Sequence, residues 1–216
     1  MFKAIRILLL VLIFVVSLAA RSTVNSSIRV HDGQTLSESL RSVNGGIRIG
    51  EDCHIEGSAR TVNGSIHVGS HSHTGSLKTV NGKIRLGEEV TVTGFLRTVN
   101  GGIRTLRGCG IGSHLSSVNG SISLDETRVE AGISTCNGDI SLERNSRVIG
   151  DITIKRRGWS FFDLFRSRSR VRVYIRSGSV VEGDIINTSR KTDLEVILEE
   201  GGRIKGEVRG GRIVRK

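Results

Sequence analysis

"RTVNGSIHVG" runs from Arg60 to Gly69, "KTVNGKIRLG" from Lys78 to Gly87, and "RTVNGGIRTL" from Arg97 to Leu106. Aligned on the Val-Asn pair, the motif recurs at Val24, Val43, Val62, Val80, Val99 and Val118, and Cys136 replaces Val in a seventh copy. The steps are 19, 19, 18, 19, 19 and 18 residues. Asn follows each time, as Asn25, Asn44, Asn63, Asn81, Asn100, Asn119 and Asn137, and Gly comes next in every copy except the first, which has Ser26. Ile stands four residues after the Val position throughout: Ile28, Ile47, Ile66, Ile84, Ile103, Ile122 and Ile140. Two residues further lie Val30, Ile49, Val68, Leu86, Thr105, Leu124 and Leu142, with Arg29, Arg48, His67, Arg85, Arg104, Ser123 and Ser141 alternating outward between them. Period-two alternation marks strands. A fixed period near 19 marks a repeat array.

Two folds compete. Asn-Gly between alternating segments is a hairpin signal and would give an antiparallel meander. That register sets Lys78 opposite Arg85 and Arg97 opposite Arg104, and like charges directly opposite are unfavourable. The rival is a parallel β-solenoid with one unit per coil, in which each residue lies about 4.8 Å from its equivalent. The Asn side chains then form an internal ladder. The neighbouring Gly permits a left-handed corner, and the Ile column becomes a continuous core. Small residues at Gly57, Gly75, Gly94, Ser113 and Ala131 keep the same step, as do Leu40, Ala59, Leu77, Leu96, Leu115 and Ile133. Stacking explains this shared period and a hairpin does not, although stacking also sets some basic residues over one another. The sequence therefore predicts an all-β parallel β-helix of nine to ten coils, about 18–19 residues per coil.

Later units lose the Val-Asn-Gly corner but keep a small-residue one. "SRVIGDITI" places Gly150 and Ile152 on the pattern, "SGSVVEGDII" places Gly183 and Ile185, and "GGRIKGEVRG" places Gly206 and Val208. These units, about residues 147–209, resemble the polymer-forming bactofilin family. The Val-Asn-Gly part is similar to repetitive β-helical adhesin families of bacteria. The first resemblance implies a right-handed parallel β-helix able to assemble end to end, and the second an adhesive surface.

The opening "MFKAIRILLLVLIFVVSLAA" has the layout of a secretory signal peptide: Lys3 and Arg6, an apolar run, then Ser17, Ala19 and Ala20. Its uncharged stretch from Ile7 to Ala20 is 14 residues, shorter than the roughly 20 of a membrane span. An uncleaved N-terminal anchor is the alternative. Residues 1–20 thus read as a signal, 21–154 as the Val-Asn-Gly solenoid, 155–170 as an insertion and 171–216 as the continuation. The expected location is the periplasm or envelope of a bacterium.

Cleavage would remove two of the 32 Lys and Arg, leaving 30 against 21 acids, a net +9. Residues 155–176 hold eight basic residues and one acid, and the rest of the chain is close to balanced. That window contains the spacing irregularity: Gly150 to Gly183 is 33 residues, about fifteen more than one coil. Its aromatics Trp159, Phe161, Phe162 and Phe165, with Arg166, Arg168 and Arg170, suit an anionic membrane surface or a protein partner. They equally suit a loop folded back on the solenoid wall. The ends of a bare coil are open strand edges, so head-to-tail self-association is a further expectation. Nucleic acid is not expected of an exported chain.

Chemistry is sparsely signalled. His67, His71 and His73 lie close together, but no carboxylate or Cys completes a recognisable ligand set. Asp32, Asp52, Asp125, Asp139, Asp151 and Asp184 occupy corners or different columns rather than pairing on one face, as glycan cleavage requires. Cys53 and Cys109 share a column three coils apart, roughly 14 Å at strand spacing, too far for a disulfide. With Cys136 they read as packing residues or free thiols. No catalytic residue, cofactor or metal is expected, and the chain reads as a non-enzymatic structural or adhesin-like protein. A carbohydrate-active β-helix enzyme is the less favoured alternative.

Overall fold

A computed structural model describes residues 21–155 and 169–216. Residues 1–20, and with them the signal or anchor, lie outside the described residues, as do Trp159, Phe161, Phe162, Phe165, Arg166 and Arg168. The described chain is all β, with no helix. Its strands form three parallel sheets of ten, ten and nine strands, and successive strands in each sheet come from successive coils. The result is a β-solenoid of ten coils, the tenth lacking a strand in the third sheet.

One coil illustrates the rest. Leu40–Ser42 lies in the first sheet, Ile47–Ile49 in the second and His54–Ile55 in the third. The two three-residue strands read buried, exposed, buried. Their inward residues meet their equivalents on either side: Ile47 lies beside Ile28 and Ile66, and Leu40 beside Ala59. A core of stacked Ile, Val and Leu runs the length of the solenoid. Each fully buried aliphatic contributes about 1.5–3 kcal/mol of hydrophobic free energy, which allows a core with almost no aromatics.

The corners differ from the expectation in two ways. The Gly after each Asn is not left-handed; none of Gly45, Gly64, Gly82, Gly101, Gly120 or Gly138 has a positive φ. Gly is needed there because coils approach closely. A Cβ on Gly82 would overlap the Gly64 carbonyl, and one on Gly101 the Gly82 carbonyl. The left-handed residues sit at the second corner, between the second and third sheets, and most carry side chains: Asp52, His71, Glu89 and Glu126. Their backbone N–H groups donate to the next coil, from Asp52 to the Ser70 carbonyl at 3.0 Å and from His71 to Glu88 at 2.9 Å. Such bonds hold a conformation that costs an L-residue about 1–2 kcal/mol.

The second difference concerns which side chains enter the core. In Thr-Val-Asn-Gly the Val faces out: Val24, Val43 and Val62 are 62%, 41% and 40% exposed. The Ser or Thr before it is buried, and its hydroxyl donates to the Gly carbonyl of the preceding coil, as Thr61 to Gly45 and Thr79 to Gly64, both at 2.7 Å. The solenoid also widens. Registered residues are 19 apart at Ile84 and Ile103 but 23 apart at Tyr174 and Ile197, and the second-sheet strands lengthen to Ser169–Ile175 and Thr192–Leu198. Arg170 therefore lies within a strand, in register with Asp193.

Candidate anion-binding face

The seven asparagines stack as one ladder. Each Nδ2 donates to the Oδ1 of the preceding Asn, from Asn44 to Asn25 through Asn137 to Asn119, at 2.8–3.0 Å. The ladder is external, not internal: its amides lie along the first corner at the solvent surface. The reason is alternation. Leu40 and Ser42 point in, so Arg41 and Val43 point out, and Asn44 begins the turn on the outer side.

Basic residues line both sides of this corner. On the first sheet Arg41, Arg60, Lys78 and Arg97 stand in register in consecutive coils. On the second sheet the order is Arg29, Arg48, His67, Arg85 and Arg104. None of these eight Arg and Lys residues forms an ion pair with a described residue. The acids of the same coils lie elsewhere: Asp32, Glu51, Asp52, Glu88 and Glu89 at the second corner, and Glu38 and Glu56 at the third. Residues 21–113, with 11 Lys and Arg against 7 acids, are thus strongly polarised in cross-section.

The field of the second-sheet column acts on His67. Partial burial, then the charges of Arg48 and Arg85, lower its pKa from the usual 6.5. The residue keeps contact with solvent at its outer edge, so the two cations and the water share in setting its titration.

Farther along, the same sheet is built differently. Glu195 lies between Arg172 and Arg212, at 3.5 and 2.9 Å, and Glu199 between Arg176 and Lys216, at 2.6 and 3.6 Å. Arg176 also sits 4.3 Å above the Tyr174 ring. Stacked cations are therefore not forced by the repeat; where they are neutralised, the sequence alternates sign from coil to coil.

Other candidates have structural work. The Asp32 and Asp151 carboxylates accept backbone N–H bonds from Glu51 and Asp184 at 2.9 and 2.8 Å, and Asp139 accepts one from Arg172 at 2.8 Å. Asp125 pairs with Arg144. The grouping of His67, His71 and His73 is dispersed: His67 faces out from the second sheet, His71 holds the left-handed corner near Asp52, and His73 stacks on His54 at 4.8 Å. No group of three or more potential metal ligands occurs among the described residues. Cys53 and Cys109 are free thiols. Cys53 and Cys109 are buried and donate to the His31 and Gly87 carbonyls, and burial raises the Cys109 pKa. No family model, curated protein or solved structure matches the chain.

Proposed function

We propose that this chain is a non-enzymatic scaffold of the bacterial cell envelope, adhesin-like in use, that holds an anionic envelope component on the face around its first corner. One observation carries the reading: eight exposed or half-exposed Arg and Lys residues stand in two columns over coils one to five without a single ion-pair partner among the described residues. Such stacking is unfavourable in the free protein, and an anion relieves it. The ion-paired columns near Glu195 and Glu199 show how the same sheet avoids that cost. The non-enzymatic reading is supported by the carboxylates of Asp32, Asp151 and Asp125, which are engaged by backbone N–H groups or by Arg. End-to-end assembly has less behind it, because the step between coils is uneven, 19 residues at Ile84 and Ile103, 23 at Tyr174 and Ile197 and 17 at Leu194 and Gly211, and the tenth coil lacks the third-sheet strand that the first has.

The test is salt-dependent retention of the full chain on an immobilised polyanion. Arg48→Glu with Arg85→Glu should abolish retention at moderate salt. Trp159→Ser with Phe162→Ser and Phe165→Ser should not. The reverse pattern moves the site to the aromatic segment, and the reading then fails.

A further inference from the structure

We infer that the ligand of this face is a linear acidic polysaccharide lying along the first corner, parallel to the solenoid axis. This rests on the anion-binding reading and adds the chemistry and direction of the ligand. Direction follows from the arrangement. Along the axis, each row repeats one chemistry every step of about 4.8 Å. Around the axis, the chemistry passes within one coil from Arg41 through Val43 and Asn44 to Arg48, and then to the acids Glu51 and Asp52. Only a ligand running lengthwise meets constant surroundings, and the second corner repels a polyanion that strays across it.

Three rows specify the ligand. The columns are Arg except for Lys78 and His67, and the guanidinium fork matches planar oxyanions in a bidentate manner. Between the columns runs the ridge of Val side chains, exposed at Val24, Val43 and Val62 and half-exposed at Val80 and Val99, narrow and aliphatic, suited to the C–H faces of sugar rings. Beside it lies the Asn ladder. Each amide spends one N–H on its neighbour and, having two, keeps the second for a hydroxyl. Polyphosphate has no use for the Val row. Single-stranded nucleic acid calls for aromatic stacking platforms, and this face has none. Membrane insertion calls for larger apolar side chains than Val. A chain with one carboxylate per sugar matches two columns that carry one cation in every coil from one to five, broken only by Ser22 on the first sheet and His67 on the second. The columns extend four steps, from Arg29 to Arg104, roughly 19 Å.

The experiment is titration of the full chain with 1,4-linked uronic acid oligomers, from dimer to decamer, and with inorganic polyphosphate of matched charge. Uronate affinity should climb with length and level off near the span of the columns. Val43→Ser with Val62→Ser should weaken uronate severalfold and leave polyphosphate unchanged. Arg48→Ser with Arg85→Ser should weaken both by about tenfold or more, through loss of two charge-assisted contacts. Thermal melting of the Arg variant, expected at or above wild type, excludes unfolding as the cause. If both probes bind with the same length dependence and the Val variant changes neither, the polysaccharide assignment is overturned while anion binding stands. If neither probe binds at low salt, or the Arg variant binds as well as wild type, both readings fall.

Discussion

Arg85 stands beside Arg104, its equivalent one coil along, and neither makes an ion pair with a described residue. Adjacent parallel strands bring such side chains within about 5 Å at their bases, so the pair is repulsive in the free protein. Arg85→Ser is therefore expected to stabilise the fold by about a few tenths of a kcal/mol at low salt, and the gain should shrink as salt screens the column. Arg176→Ser should do the opposite and cost about 0.5–1 kcal/mol, because Arg176 bonds to Glu199 and covers the Tyr174 ring. Urea unfolding of the two variants at two salt concentrations checks both signs.

The corner glycines separate crowding from backbone freedom. Gly82 and Gly101 have no positive φ, yet a Cβ on either would overlap the carbonyl of the preceding coil. Gly82→Ala should cost about 1–3 kcal/mol, the range for overpacking. Gly110 also has no positive φ, and nothing lies within 4 Å of its added Cβ. Gly110→Ala should be neutral or gain about 0.5 kcal/mol by restricting the unfolded chain. The measurement is the denaturation midpoint of each variant, and a Gly82 variant as stable as wild type would remove the steric account of the motif.

The buried hydroxyl column offers an internal control. Thr98 donates to the Gly82 carbonyl at 2.9 Å, whereas the buried Thr135 hydroxyl has no partner. Thr98→Val should cost about 1 kcal/mol. Thr135→Val removes an unsatisfied polar atom and should leave stability unchanged or raise it by about 1 kcal/mol. Calorimetric melting of both variants, expected to move in opposite directions, checks the assignment.

The sequence was most informative where identical residues fall at one step. Seven Ile residues at a shared spacing exclude a meander, and the three parallel sheets follow. Directions within the coil were less legible. The apolar Val43 carries no mark of its direction, and strict alternation from Leu40 sends Arg41 and Val43 out and Ser42 in. The left-handed corner had a glycine signal only at Gly33, Gly108, Gly178 and Gly201, because elsewhere backbone bonds such as those from Asp52 and His71 to the next coil hold it with ordinary residues. The cationic face was hidden by the spread of its charges: Arg41 and Arg48 are seven residues apart in sequence with acids following in the same coil, and only the folded corner brings their columns to its two sides. Counting charge by windows along the chain pointed instead to residues 155–176. The widening of the coil was obscured by the extra length between Gly150 and Gly183, whose latter part forms the long strand Ser169–Ile175.

His67 reports on the column from within. Its register neighbours are Arg48 and Arg85, and neither is acidic. Partial burial and those two cations lower its pKa below 6.5. Well above 6.5 the imidazole is uncharged in both the folded and the unfolded chain, so it contributes no pH dependence there. As pH falls through 6.5 the unfolded chain takes up the proton first, and stability declines until the folded-state pKa is reached. His67→Gln should flatten that part of the stability curve, measured as urea midpoints from neutral to mildly acidic pH. Binding should respond in the opposite direction. A polyanion on the face offsets the two cations, raises the His67 pKa and draws a proton onto the column, so wild-type affinity should increase on mild acidification. The Gln variant should lack that increase. Proton NMR of the imidazole should show His67 titrating at higher pH in the complex than in the free protein. An unshifted imidazole in a saturated complex would place the bound anion away from Arg48 and Arg85.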